Sequence, residues 1–375
     1  MKNIGRLSDI YVFQYGKGNE NPDNGGIYPV YGSNGIIGGY DKFNSDDAPV
    51  IGHIGANAGS VVFAKGKHFV TYNGVICEIK DCADKMYGYY ALLSSNLKKV
   101  AFGSAQPFVS YNSLNRIVIY LPSIEKQKKI ANILSTYDEL IENNNKRIKL
   151  LEQMAENLYR EWFVRFRFPG YENTKFENGL PEGWKRNKIS TYYDTCSGGT
   201  PSRTHEEYFE AGIYPWVKTG EIKDCIIIDT EEYITQQAVK KSSAKLLPAK
   251  SVAMAMYGVN IGQLGYFDKQ MTCNQACCVF SDKRSFSSKH YLFQYLKSIR
   301  EYLLLISFGA AQQNLSQELI KKIKIVMPSD DVVRAFEEKM DVIYDSIKTL
   351  MYKNQNLAKQ RELLLPRLMS GKLEV

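Results

Sequence analysis

Residues 122–168 carry the most regular alternation of apolar and polar positions in the chain. Leu134, Ile141, Ile148, Ala155 and Trp162 occupy one heptad position, and Tyr137, Asn144, Leu151 and Leu158 the alternate one. A seven-residue apolar repeat is the seam of a coiled-coil helix, because it keeps one stripe turned toward a partner. The frame returns 206 residues later as Met340, Ile347, Asn354, Arg361 and Leu368, with Ile343, Leu350, Leu357 and Leu364 between them. The pattern predicts two helices, over 122–168 and 328–370, each about 60 Å long at ~1.5 Å per residue. Neither buries its stripe alone, so each is expected to pair antiparallel with the other. Asn144 aligns with Leu350 and Asn354 with Ile148; each Asn either fixes register at a cost in stability or faces water.

Short strands and turns precede each helix. In residues 1–121, Asn24-Gly25-Gly26, Gly32-Ser33-Asn34-Gly35 and Gly38-Gly39 mark turns. Strand-like runs cover 48–54, 60–64 and 74–79, a helical stretch 85–100, and a closing strand 117–121. Residues 171–327 follow the same order. Pro215-Trp216-Val217 is matched to Pro29-Val30-Tyr31, Gly258-Val259-Asn260-Ile261-Gly262 to Gly55-Ala56-Asn57-Ala58-Gly59, and Asn274 to Asn73. Residues 102–123 align without a gap on 308–329, with nine identities in 22 positions. A period of about 200 residues is too long for a solenoid and indicates a duplicated domain.

The expected fold is α+β. Two similar mixed α/β domains, 1–121 and 169–327, are separated by two long antiparallel coiled-coil helices in a pseudo-twofold repeat, with 371–375 as a tail. A common framework with diverging loops suits one scaffold carrying two recognition surfaces.

Composition narrows the class. The 375 residues are 44% hydrophobic and 23% charged, ordinary for a globular chain, and no apolar run approaches the roughly 20 residues of a membrane span. Seven scattered cysteines favour a reducing, cytoplasmic setting over a disulfide framework. The net charge of +8 is compatible with a polyanionic partner.

Catalytic patterns are sparse. No Pro-Pro pair is present, so the Asp/Asn-Pro-Pro-aromatic loop of amino-methyltransferases is absent, as are Gly-x-Gly-x-x-Gly and Walker loops. Glu78-Ile79-Lys80 and Glu221-Ile222-Lys223 are too loosely spaced from other acids for a nuclease site. Cys273, Cys277 and Cys278 lack companions for four metal ligands and read as buried thiols in a strand. What remains is a set of amides, hydroxyls and cations in loops: Lys17, Asn34, Asn57, Asn73 and Gln106 in the first half, and Thr200, Ser202, Arg203, Lys218, Asn260, Gln263, Asn274, Gln275 and Gln312 in the second. Asn and Gln pair with adenine edges, Arg and Lys with guanine, and Lys, Ser and Thr hold phosphates. Several of them, Asn57 and Asn260 above all, could instead simply form turns.

A family resemblance rests on motifs in both halves. They are Leu121-Pro122-Ser123 followed by Glu125-Lys126-Gln127-Lys128-Lys129-Ile130, the run LYREWFVRFRF over 158–168 with Pro169-Gly170-Tyr171-Glu172, Leu180-Pro181-Glu182-Gly183-Trp184, Gly198-Gly199-Thr200-Pro201-Ser202, and LLLPRLMSG over 363–371. Together these resemble the specificity subunits of type I restriction-modification systems. The resemblance implies two target recognition domains, each reading one half of a bipartite double-stranded DNA site, and a spacer of paired helices seamed by Leu134, Ile141, Ile148, Leu151, Leu158, Ile343, Ile347, Leu350, Leu357 and Leu364. It further implies no catalysis and no cofactor in this chain; two methyltransferase subunits using S-adenosylmethionine and, in the full complex, restriction subunits using ATP and Mg would supply them. Trp162, Phe163, Arg165 and Phe166 are candidates for docking the methyltransferase, or else the end of a helix packed on the second domain. A recognition subunit of a type II restriction-methylation enzyme, and a stand-alone DNA-modifying enzyme, are the alternatives. The first half departs from the pattern: it begins at Ile4-Gly5-Arg6 without a Leu-Pro-x-Gly-Trp entry, so its domain is expected to lack an edge segment or to borrow one from the tail.

Overall fold

The computed structural model describes residues 3–18, 23–103, 106–307 and 314–375. The chain folds as two compact units, Met1–Asn143 with Asn354–Val375, and Asn144–Lys353. The long helices span Ile124–Tyr159 and Asp330–Leu368. Asp330 and Asp331 place negative charge in the first turn of the second helix, where the backbone dipole favours it. None of the described helices is long and apolar enough to cross a membrane.

The first unit is built on a six-stranded sheet in the order Tyr11–Tyr15, Gly74–Ile79, Ser45–Gly52, Val61–Val70, Tyr28–Gly32, Gly35–Tyr40. All neighbours are antiparallel except Val61–Val70 and Tyr28–Gly32. The helical stretch expected over 85–100 ends as an α-helix at Ser94, and Leu97–Val100 continues as a tighter 3-10 turn. Asn96 enters that turn with φ of +46°, a left-handed value that a continuing helix does not admit. Asp84 caps the helix, accepting from Tyr87 N at 2.9 Å. Gln127, on the long helix, accepts from Asp84 N at 2.9 Å and so fastens the domain to that helix. Ile130, Ala131 and Leu134 of the first long helix share one core with Leu364, Leu365 and Leu368 of the second. Asp138 closes this end, accepting from Tyr90 Oη at 2.5 Å and pairing with Arg361. Residues near the start of one helix thus lie with residues near the end of the other, as antiparallel pairing requires.

The second unit repeats the frame. Its five-stranded sheet runs Tyr193–Ser197, Cys277–Asp282, Val252–Ala255, Leu264–Phe267, Cys225–Ile227, and Tyr214–Val217 lies in a smaller three-stranded sheet. Register is preserved pair by pair: Val50 opposite Ile76 and Ile51 opposite Val61 recur as Ala253 opposite Val279 and Met254 opposite Leu264. Ile148, Leu151 and Ala155 share a core with Met340, Ile343 and Ile347, again the end of one long helix with the start of the other. The ten seam positions named above are all buried or half-buried.

Of the two readings of Trp162 and Phe163 the structure has the packed helix end and not the docking face, and the expected gap at the edge of the first domain needs correction. Trp162 and Phe163 are 5% and 8% exposed, in a single π-helical turn over Arg160–Val164. Phe163 meets Tyr291 and Phe336, each at 4.7 Å between ring centroids. Their apolar area is already buried in the second unit's core, so neither side chain is available to dock a partner. Arg165 pairs with Glu161, and Phe166 is half-buried against Trp184 at 5.6 Å. The edge segment expected to be missing from the first domain is present: Ile4–Arg6 pairs antiparallel with Val118–Tyr120, as Lys185–Lys188 does with Lys324–Met327. Tail residue Val375 packs on the same unit's core.

In the second unit Glu337 fastens the domain to its helix. Its carboxyl accepts from Tyr291 N at 2.8 Å and His290 N at 3.3 Å, at the start of the helix Lys289–Ser298. Burial pushes the carboxyl up to about 8, against the pull of these amides and Lys289. Burial also lowers His290 to about 4, opposed by its bond to Asp341. The proton on Glu337 is therefore held more tightly folded than unfolded. Its contribution is full below the ordinary glutamate range and is lost as pH rises toward 8, while the His290 effect acts only below about 6.5. Between pH 6.5 and 8 the stability of this unit should fall with rising pH by up to about 1.4 kcal/mol per unit, and Glu337→Gln should flatten that slope in urea titrations. In the first unit, Leu134 is 0% exposed, and Leu134→Ala should cost about 2–5 kcal/mol, against under about 0.5 kcal/mol for exposed Leu140→Ala, both read from urea midpoints.

Candidate nucleic-acid interface

In the first unit five segments converge through hydrogen bonds. Loop 52–60 is closed by Gly59 N to Gly52 O at 2.8 Å, Ala58 N to Gly55 O at 2.9 Å and Ser60 N to Asn57 O at 3.0 Å. Turn 71–74 closes through Gly74 N to Thr71 O at 2.9 Å, and His53 N to Asn73 O at 2.8 Å joins it to the loop. Gly55 N donates to Pro107 O at 2.8 Å, bringing in the stretch that follows Gln106. Ser33 Oγ donates to Asn73 O at 2.7 Å, Asn57 donates to the Asn34 side chain, and Tyr72 N donates to Gly18 O at 3.1 Å. Lys17, Asn34, Asn57, Asn73 and Gln106 are thereby gathered on one surface, all exposed except half-buried Asn57. Beneath them Tyr15 stacks on His53 at 4.2 Å and on Tyr111 at 3.9 Å.

The second unit builds the same cluster. Gly262 N to Ala255 O at 2.8 Å, Ile261 N to Gly258 O at 3.2 Å and Gln263 N to Asn260 O at 2.9 Å close loop 255–263. Met256 N to Ala276 O at 2.8 Å joins it to the turn that Cys277 N to Asn274 O closes at 3.3 Å. These bonds place Thr71 opposite Asn274, Tyr72 opposite Gln275 and Asn73 opposite Ala276. The matching of Asn73 to Asn274 is therefore two residues out of register. Where the first unit has Tyr15, Tyr111, His53 and Tyr72, the second has Ser197, Gln317, Met256 and Gln275. Gln317 joins Thr195 at 3.0 Å and Ser197, and Gln275 joins Thr200. The aromatic pile of one unit is replaced by an amide and hydroxyl network in the other.

The remaining candidates differ in availability. Asn260 Nδ2 donates to Thr219 O at 2.9 Å, and Asn274 Oδ1 accepts from Ala276 N at 3.2 Å, so both support the loops. Ser202 is exposed. Arg203 lies over Phe209 at 4.2 Å and Trp216 at 5.3 Å and pairs with Glu232 at 2.6 Å. Lys218 pairs with Glu231 at 2.9 Å and Glu232 at 3.0 Å, and these bonds raise its pKa above the usual lysine value. A phosphate would have to displace Glu232 from either cation. The Gln263 side-chain oxygen is buried, away from the loop surface. Gln312 lies outside the described residues. Glu232 was missed because its partners are 14 and 29 residues away in the sequence, with no local signal linking them.

Cys273, Cys277 and Cys278 are buried thiols on the strands below this surface.

The structure is one frame built twice, with a polar loop cluster at the same place on each copy. The chain belongs to the type I restriction modification DNA specificity domain family, whose model matches residues 4–153 and again 181–362. It is 27% identical over 308 residues to the type I restriction enzyme MjaIX specificity subunit of Methanocaldococcus jannaschii, across 79% of this chain and 71% of that protein. It is 24% identical over 329 residues to the HindI specificity subunit of Haemophilus influenzae, across 71% of each. The crystal structure of a type I restriction-modification S subunit from M. genitalium has the same fold at 17% identity, with a TM-score of 0.63 over 98% of this chain and 95% of that one.

The two glycine-closed loops allow a direct test of the frame. Gly59 has φ of +82° and a Cβ there would sit 2.6 Å from the Leu97 carbonyl carbon, whereas Gly258 at +78° has open space around it. Gly258→Ala should cost about 1–2 kcal/mol of left-handed strain. Gly59→Ala should cost more, because backbone must also move, and a larger fall in thermal midpoint for Gly59→Ala checks this.

Proposed function

We propose that the chain is the non-catalytic DNA-recognition subunit of a type I restriction-modification complex, each unit reading one half of a bipartite double-stranded target. The observation that carries this reading is the repeated loop cluster, whose backbone is the same in both units while its side chains change from aromatic to amide. Such a surface distinguishes two different half-sites with one scaffold. Residues 1–121 and 169–327 serve as the recognition domains. The helical segments 122–168 and 328–370 set the gap between the half-sites and dock two methyltransferase subunits, with restriction subunits joining the full complex and 371–375 forming a tail. Chemistry resides in those partners, which bring S-adenosylmethionine, ATP and Mg; this chain contributes binding and position.

In this reading Gln275, exposed beside Thr200, hydrogen-bonds a base edge, and Lys17 meets phosphate. Gln275→Ala should weaken recognition of one half-site by about 1–3 kcal/mol and leave the other unchanged. Lys17→Ala should lower affinity for all sequences and flatten the salt dependence. Binding titrations on duplexes altered in one half-site at a time, repeated at several salt concentrations, separate the two. Equal losses at both half-sites for Gln275→Ala would overturn the division of labour.

A further inference from the structure

Val259 stands at the tip of loop 255–263 with 98% of its surface exposed. A branched aliphatic side chain held this far from any core contributes nothing to folding, and the loop does not need it. Three backbone hydrogen bonds close the loop, and the same three close loop 52–60, where the tip residue is exposed Ala56. Position is therefore fixed by the backbone in both units, and the tip side chain is free to vary. Around the tip lie Asn260, which is tied to Thr219, and the turn carrying exposed Gln275, tied to the loop through Met256 N.

A convex tip bearing one small apolar group fits a groove better than a flat surface. In the major groove the apolar group on a base edge is the thymine 5-methyl, which accepts small apolar side chains. Most side chains that wedge between base steps are longer, such as Phe, Leu, Ile or Met, and Ala56 at the matching tip is too short to wedge.

We infer that Val259 is a specificity-determining residue that packs on the 5-methyl group of a thymine in the half-site read by the second unit, with Ala56 at the equivalent position in the first. This rests on the proposed reading of DNA by the two units.

The test uses the full chain assembled with its methyltransferase partner and its preferred duplex, obtained by selection from random DNA. Each thymine is replaced in turn by deoxyuridine, which removes only the methyl group. One replacement, in the half-site that Gln275→Ala impairs, should weaken binding about fourfold, the cost of about one methyl-sized apolar contact. In Val259→Ser that sensitivity should vanish while the rest of the deoxyuridine profile is retained, and an unchanged thermal midpoint shows that the variant is folded. An identical profile for Val259→Ser and the natural chain overturns the assignment, as does a natural chain indifferent to every thymine methyl in that half-site. If the assembly selects no sequence at all, the DNA-reading proposal fails and the Val259 assignment with it.

Discussion

The apolar stripe on each long helix is the constraint on which the rest of the structure depends. A helix of 36 or 39 residues with one continuous apolar face is not stable in water until that face is covered. In the first unit Ile130, Ala131 and Leu134 meet the core that also holds Leu364 and Leu368. In the second, Ala155 and Ile148 share a core with Met340 and Ile347. Each unit thus takes part of both helices into its own hydrophobic core, which makes folding of a recognition domain inseparable from pairing of the helices beside it.

Buried polar groups then set how each domain sits on its helices. Gln127 accepts from the backbone ahead of the helix Lys85–Ser94, and Glu337 accepts from the first amides of Lys289–Ser298. Apolar packing alone would tolerate a small rotation of the domain helix. A buried acceptor aimed at one backbone N–H, as in Gln127, or at two, as in Glu337, does not, because leaving an amide unpaired costs more than the bond itself contributes. The sheets and their loops are carried with the domain helix, so these contacts fix the orientation of the loop cluster within each unit.

On the loop clusters the backbone is held constant while the side chains change. Tyr15, His53 and Tyr111 form a stacked base under the first cluster; Ser197, Met256 and Gln317 occupy the same places under the second. The exposed turn residue changes from Tyr72 to Gln275 and the loop tip from Ala56 to Val259. An aromatic ring, an amide and a branched aliphatic group offer different contacts, so a single frame presents two unlike surfaces without refolding.

The sequence by itself determined the features that depend on period and local turn chemistry. The heptad positions from Leu134 to Leu364 lie away from solvent, the strand over Gly74–Ile79 forms, and the glycines of 55–59 and 258–262 make matching loops, because each follows from spacing within a few residues. Tertiary structure decided what depends on partners distant in the chain. The offset between repeats is 182 residues at Tyr15, 203 through the strands and turn from Val50 to Ile79 and 206 from Phe102 onward, so identity alone drew Asn73 to Asn274 where the hydrogen-bonded frame puts Ala276. Trp162 and Phe163 read equally well as a docking face or a core, and only packing against Phe336 and Tyr291 buried them. Arg203 and Lys218 read as free cations until the fold brought Glu232 to both. In each case the local pattern constrains only neighbours along the chain, while burial and ion pairing are set by whichever surfaces the strands bring together.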